Sequence, residues 1–233
     1  MTDATLTRPV ASAAVEQTGW RVLLGYLAAS VAVDSLQQGL DIATAAVAAC
    51  GNDADEHLRV DVRRDRVELA LRTFSAADIT TRDTRLANEI TAVVRGLGLS
   101  IAEPAGIPRP VQMLELAIDA IDIPAIRPFW KAVLGFVDEP GLDDDDNAIA
   151  DPAGQLPSIW FQQMDEPRPQ RNRIHLDAIV AHDEAQARVR AALDAGGVLV
   201  SDAEAKAFWV LADAEGNEIC ICTWQDRDAA TPG

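Results

Sequence analysis

Lysine is almost missing from this chain of 233 residues: Lys131 and Lys206 stand alone, and arginine makes up the rest of the 20 basic residues. Recognition of a phosphate or carboxylate would therefore fall to bidentate guanidinium groups. Basic charge as a whole is also scarce, since 37 acidic residues leave a formal net charge of −17, the wrong sign for a nucleic-acid backbone or an anionic membrane surface. Neither kind of partner is expected. Cysteine is limited to Cys50, Cys220 and Cys222, an odd number with no CxxC pair, which argues against a disulfide framework and against a thiolate zinc site. No apolar run reaches the roughly 18 residues of a membrane span, and Met1-Thr2-Asp3-Ala4 does not open a basic-then-apolar leader. A cytoplasmic location with reduced thiols is the expectation.

What the chain does have is an ordinary globular balance, 48% hydrophobic and 24% charged residues, enough to bury a core. Its length predicts one large or two small domains at roughly 150 residues each. Pro104, Gly106, Pro108 and Pro110 interrupt the patterning, so we expect one domain over 1–100, a linker over 101–110 and a second domain over 111–233.

In the first half, Leu36, Leu40, Ile42, Ala46 and Val47 follow helical spacing from Ser35 to Cys50, with Gly51 as a stop. Leu58, Val60 and Val62, then Val67, Leu69 and Leu71, alternate with polar residues and predict a hairpin. Thr80 or Thr81 with Asp83 can start a helix whose stripe is Leu86, Ile90, Val93, Val94 and Leu97. An earlier strand pair is expected between Trp20 and Val33. In the second half, a strand at 111–118, a helix at 124–134 and strands at 148–150 and 158–164 are followed by a strand at 173–180, a helix at 183–195 and strands at 198–201, 207–212 and 219–223. Strand, helix, then several strands occurs twice, which points to an internal duplication around a cleft. The acidic run Asp143 to Asp146 lacks calcium-loop spacing and reads as a solvated turn.

The segment Glu56 to Ile90 resembles pterin-4a-carbinolamine dehydratase, whose members carry a His-His-Pro-Asp run, a Thr-His-(Asp or Glu) run and a Leu-Thr-x-x-Asp helix start. The frame matches without a gap, and the resemblance extends over about residues 15 to 100. It implies elimination of water from a 4a-hydroxytetrahydropterin, in which one group protonates the leaving hydroxyl and another removes a ring proton; histidine suits both tasks. Here Glu56 replaces the first motif histidine, His57 is the second, and Phe74 replaces the third. The resemblance thus makes His57, assisted by Glu56, the catalytic candidates, with Trp20, Phe74 and Arg82 around the pterin. Glu56 could pair with His57 as acid and base if burial raised its pKa. Two of three motif histidines are gone, which implies weak or lost turnover.

The second half resembles the glyoxalase-like division of the vicinal oxygen chelate superfamily. The residues that carry this are Arg127 to Phe136, Trp160 to Gln163, Asn172 to Asp177 and Ala212 to Glu218. Joined to a dehydratase-like domain, it resembles a fusion found in actinobacterial proteins. The resemblance implies an α+β chain: a dehydratase-like antiparallel sheet with helices on one face, then a paired βαβββ glyoxalase/bleomycin-resistance-type domain. It also implies a cleft at Glu115, Trp160, Gln162, His175, Trp209 and Cys220. Glu115, Gln162 (or Gln163) and His175 would be the ligands of a divalent metal, with Cys220 as an atypical fourth. No cofactor other than that metal is implied.

Two readings follow. One is a lyase of the 4a-hydroxytetrahydrobiopterin dehydratase type, fused to a glyoxalase-like domain that binds a small molecule or has a metal-dependent activity of its own. The other is a non-catalytic protein that sequesters a small apolar or aromatic ligand while the first domain serves assembly. The ligand is a pterin or unknown, and a homo-oligomer is expected because the dehydratase family assembles through its helices.

Overall fold

Alternation carries Val67, Leu69 and Leu71 into the core as expected, but of the five apolar residues at helical spacing between Ser35 and Cys50 only Ile42 and Ala46 are buried, while Leu36, Leu40 and Val47 are exposed, as is Leu97. The computed structural model describes residues 3–101, 111–139, 148–167 and 174–226. The expected linker prolines, the acidic run Asp143 to Asp146, and Asn172 with Arg173 lie outside them.

The first body opens with a helix that the periodicity did not reveal, α1 (Arg8–Val15), with Pro9 in its first turn. Strands β1 (Arg21–Leu23) and β2 (Tyr26–Ala32) follow, then α2 (Leu36–Cys50), a short α3 (Ala54–His57), β3 (Leu58–Val62), β4 (Arg66–Leu71) and α4 (Thr81–Gly96). The four strands form one antiparallel sheet in the order β1-β2-β4-β3. Leu27, Ala29 and Val31 of β2 and Val67, Leu69 and Leu71 of β4 face one way, into a core shared with Ile42 and Ala46 of α2 and Leu86, Ile90 and Val94 of α4. Period 2 in the strands meets period 3.6 in the helices. The Ser35 hydroxyl accepts from the Gln38 N–H at 3.2 Å to cap α2.

The second body contains the duplication. Its first module runs β5 (Leu116–Ala120), α5 (Ile123–Leu134), β6 (Val137–Asp138), β7 (Ala148–Ala150) and β8 (Ile159–Gln163). Its second runs β9 (Asp177–Ile179), α6 (Ala185–Asp194), β10 (Val198–Ser201), β11 (Phe208–Ala212) and β12 (Glu218–Cys222). The sheet orders β5-β8-β7-β6 and β9-β12-β11-β10 are the same order, and in each module the first strand runs parallel to the last while the others pair antiparallel. The chain is α+β in both bodies. Strand β5 begins at Leu116 rather than at residue 111, because only Ile118 and Ala120 alternate into the core; β9 likewise shortens to three residues.

Each module turns on a similar loop. Asp151 accepts from the N–H groups of Ala153, Gln155 and Leu156, and Asp213 accepts from those of Glu215 and Asn217. Gly154 and Gly216 take positive φ, 65° and 87°, in the same place of each loop. The second loop reaches further: Asp213 Oδ2 accepts from Trp130 Nε1 at 2.9 Å, and the Glu215 carboxylate accepts from the N–H groups of Ile121 and Asp122 at 2.7–3.0 Å. Module two thereby holds the entry to α5 of module one.

Close packing of α5 and α6 leaves no space at Gly197. A Cβ there would lie 2.4 Å from Cδ2 and 2.5 Å from Cε2 of the fully buried Phe129. Gly197→Ala is expected to destabilise this body by about 1–3 kcal/mol through overpacking, read as a lower midpoint for its transition in urea.

Candidate functional site

Three chain segments of the first body meet at His57. The residue ends α3, and its carbonyl accepts from the N–H of Arg72 at 2.9 Å, which brings the end of β4 and the following Thr73 alongside. Helix α4 starts next to them because Thr80 caps it reciprocally with Asp83: the Thr80 hydroxyl faces the first-turn N–H groups, and Asp83 Oδ2 accepts the Thr80 N–H at 2.7 Å.

Asp83 is completely buried, at 0% exposure, and its partners come from its own cap and from two other segments, those of Thr73 and His57. Its Oδ1 lies 2.8 Å from His57 Nδ1, while Oδ2 accepts from the hydroxyls of Thr80 and Thr73, both at 2.9 Å. Thr73 Oγ1 is also 3.2 Å from His57 Nδ1 and 2.9 Å from Thr80 Oγ1. A carboxylate facing Nδ1 assigns the proton to that nitrogen, so Nε2 keeps its lone pair. No described residue hydrogen-bonds Nε2. His57, itself 6% exposed, is thus an oriented imidazole with one basic nitrogen left over for chemistry.

The other sequence candidates behave differently. Glu56 is exposed, and its carboxylate accepts from the Ser75 hydroxyl at 2.5 Å and the Ser75 N–H at 2.9 Å. Those bonds hold its pKa below the ordinary carboxylate value, so the rise through burial that an acid–base pair would need does not occur. Phe74 is half-buried directly after Thr73 and opens the 3-10 turn Phe74–Ala76 that Glu56 caps. The guanidinium of Arg82 pairs with Asp53, just ahead of α3. Trp20 is not a pterin platform: it is 1% exposed inside the core, and its Nε1 donates to Thr91 Oγ1 at 3.1 Å. A ring closed over by helices offers no face to a ligand.

Sequence reasoning did not single out Thr73, and it took Thr80 and Asp83 only as a helix start. One signal was available. Asp83, Ala87, Ile90 and Val94 are spaced as one face of α4 and all four are buried, so the carboxylate occupies a core position that only a partner can justify.

In the second body, alternation divides the expected cleft residues between two sheets. Glu115, next to β5, is 3.3 Å from the Ser158 hydroxyl at the start of β8, and Trp160 and Gln162 follow on the same face. His175 and Cys220 line a small pocket with Ile174, Leu176, Glu218 and Ile219 on the other sheet. Among the described residues no three His, Cys, Asp or Glu side chains are grouped so as to hold a metal ion. Burial first, and then the Asp177 carboxylate, push the Cys220 thiol pKa up to about 11. Trp209 is not in a cleft: it is a core residue at 5% exposure, on the face of β11 opposite the one that pairs Val210 with Cys220. None of the three cysteines is in a disulfide, and no described helix is long and apolar enough to cross a membrane.

Comparison with known proteins agrees with this division. Residues 4–93 match the family model for pterin 4 alpha carbinolamine dehydratase, and residues 115–222 match that for a glyoxalase-like domain. A Mycolicibacterium smegmatis protein provisionally named pterin-4-alpha-carbinolamine dehydratase is 34% identical over 76 residues, 33% of this chain and 80% of that protein. Among solved structures, a transcriptional coactivator/pterin dehydratase from Brucella melitensis is 19% identical, covering 39% of this chain and 98% of its own, with a TM-score of 0.35. A glyoxalase/bleomycin resistance protein/dioxygenase family enzyme from Burkholderia phytofirmans is also 19% identical, covering 47% of this chain and 95% of its own, with a TM-score of 0.37. Through its first body the chain belongs to the pterin 4 alpha carbinolamine dehydratase family, and it carries a glyoxalase-like domain in the same polypeptide.

Proposed function

We propose that the first domain is a residual dehydratase acting on a pterin 4a-carbinolamine, with His57 as its one proton-transfer group and Asp83 as the residue that orients it. The observation that carries this reading is the 2.8 Å contact between His57 Nδ1 and a wholly buried Asp83, which leaves Nε2 as a base. Elimination of water needs a second group to protonate the leaving hydroxyl. Glu56, held ionised by Ser75, is a poor donor near neutral pH, and Phe74 has no proton to give. Water must supply that proton, and loss of a positioned acid slows such a step by about 100-fold to 10,000-fold.

The test uses a 4a-hydroxytetrahydropterin generated in situ. The wild-type chain should accelerate its dehydration slowly, His57→Ala should abolish the acceleration, and Phe74→His should raise it. If the double variant His57→Ala with Glu56→Ala dehydrates as fast as the wild type, the catalytic assignment is wrong. A dimer or larger assembly of the full chain belongs to the same reading, and sedimentation showing a monomer would remove it.

A second reading concerns the glyoxalase-like domain and is favoured by Trp160, 37% exposed on a strand that is otherwise in the core at Ile159 and Phe161. An exposed indole on a rigid sheet suits a domain that binds a small ligand.

A further inference from the structure

The sheet β5-β8-β7-β6 has two unlike faces. Ile118, Ala120, Ile149, Ile159 and Phe161 enter the core. On the other face, the register places Ala117 and Ala148 on either side of Trp160, and Asp119 beside Gln162. Alanines flank the indole on both neighbouring strands, so no large side chain stands across from it. One row away Glu115 meets Ser158 and is exposed. Strands β5, β7 and β8 carry no basic residue.

We propose that this face is a binding site for a planar aromatic cation, which stacks on Trp160 and is neutralised by Glu115. The proposal rests on the ligand-binding reading of the second domain and specifies the chemistry of the ligand. An indole face is electron-rich and attracts a cation lying over it, a preference that a neutral ring does not exploit. The Glu115 carboxylate, on the same face and two residues before Ala117 on the neighbouring chain segment, is placed to act on a charge over the indole. The net charge of −17 adds a general attraction for cations. The second module has no counterpart: Cys220 and Cys222 stand on β12 where Trp160 and Gln162 stand on β8, so the site belongs to the first module alone. Trp224, also exposed, packs edge-on against His182 with ring centroids 5.3 Å apart and serves as a comparison.

Calorimetric titration of the full chain with N-methylphenanthridinium, and with phenanthridine at a pH where it is neutral, tests the proposal with one ring system in two charge states. The cation should bind more tightly than the neutral ring. Trp160→Leu should weaken the cation by about tenfold, Glu115→Gln by about threefold with less sensitivity to salt, and Trp224→Leu should change nothing. Equal affinity for both rings with no effect of Glu115→Gln would overturn the charge assignment and leave a ligand-binding domain. Binding that survives Trp160→Leu would overturn the location, and failure of both probes to bind would remove the cation site and the second reading together.

Discussion

Asp83→Ala is expected to destabilise the first domain by about 3–5 kcal/mol, the cost of breaking a buried, hydrogen-bonded charge network by removing one partner. The carboxylate takes bonds from His57 Nδ1, the Thr80 N–H and hydroxyl, and the Thr73 hydroxyl; without it the Thr80 N–H loses its acceptor, and Thr73 Oγ1 is left as the remaining partner beside His57 Nδ1 and Thr80 Oγ1. Asp83→Asn keeps the volume but offers one accepting oxygen in place of two, so it should cost less stability while still releasing the imidazole. The two variants separate the roles: Asp83→Asn should lose pterin dehydration nearly as fully as His57→Ala at a smaller stability loss. The measurements are urea unfolding of the full chain, followed as two transitions, and the dehydration rate well below the first of them. An Asp83→Asn protein that dehydrates pterin as fast as the wild type would deny Asp83 any part in positioning His57.

Asp213→Ala should destabilise the second domain by about 2–4 kcal/mol. The residue is 2% exposed, and its two oxygens serve Trp130 Nε1, the Asn217 side chain and the N–H groups of Glu215 and Asn217. Loss of the carboxylate strands an indole N–H in the core and loosens the loop from which Glu215 holds the start of α5. Asp151, the matching residue of the other module, is the natural control. It accepts only backbone N–H groups of its own loop, which keep its carboxyl below the usual range although burial pushes the other way. Asp151→Ala should therefore cost about 1 kcal/mol. If the two alanine variants shift the urea midpoint of the second domain equally, the cross-module contact of Asp213 carries no special weight.

Much of the architecture was legible in the residues themselves. Alternation in Leu58 to Leu71, the helical stripe from Leu86 to Leu97 apart from the exposed Leu97, and the repeated order of strand and helix after residue 111 depend only on the two side-chain periods, and these are local. The motif around His57 and Phe74 was legible too, including the loss of two histidines. The sequence by itself thus determined the α+β class, the duplicated module and the one motif histidine that is kept, His57.

Tertiary structure decided where each candidate lies and what it touches. Phe208 to Ala212 is apolar on both faces of β11, so alternation could not say that Trp209 enters the core while Val210 pairs with Cys220; sheet packing makes that choice. Trp20 and Thr91 are 71 positions apart, and His57 and Asp83 are 26 apart, yet each pair is in hydrogen-bond contact. Glu56 and His57 are neighbours with opposite fates, one capping an exposed turn and the other buried against a carboxylate. Local periodicity says which side of an element is apolar, but a proton-transfer site depends on which distant polar groups must satisfy one another once water is excluded, and only the folded chain brings those groups together.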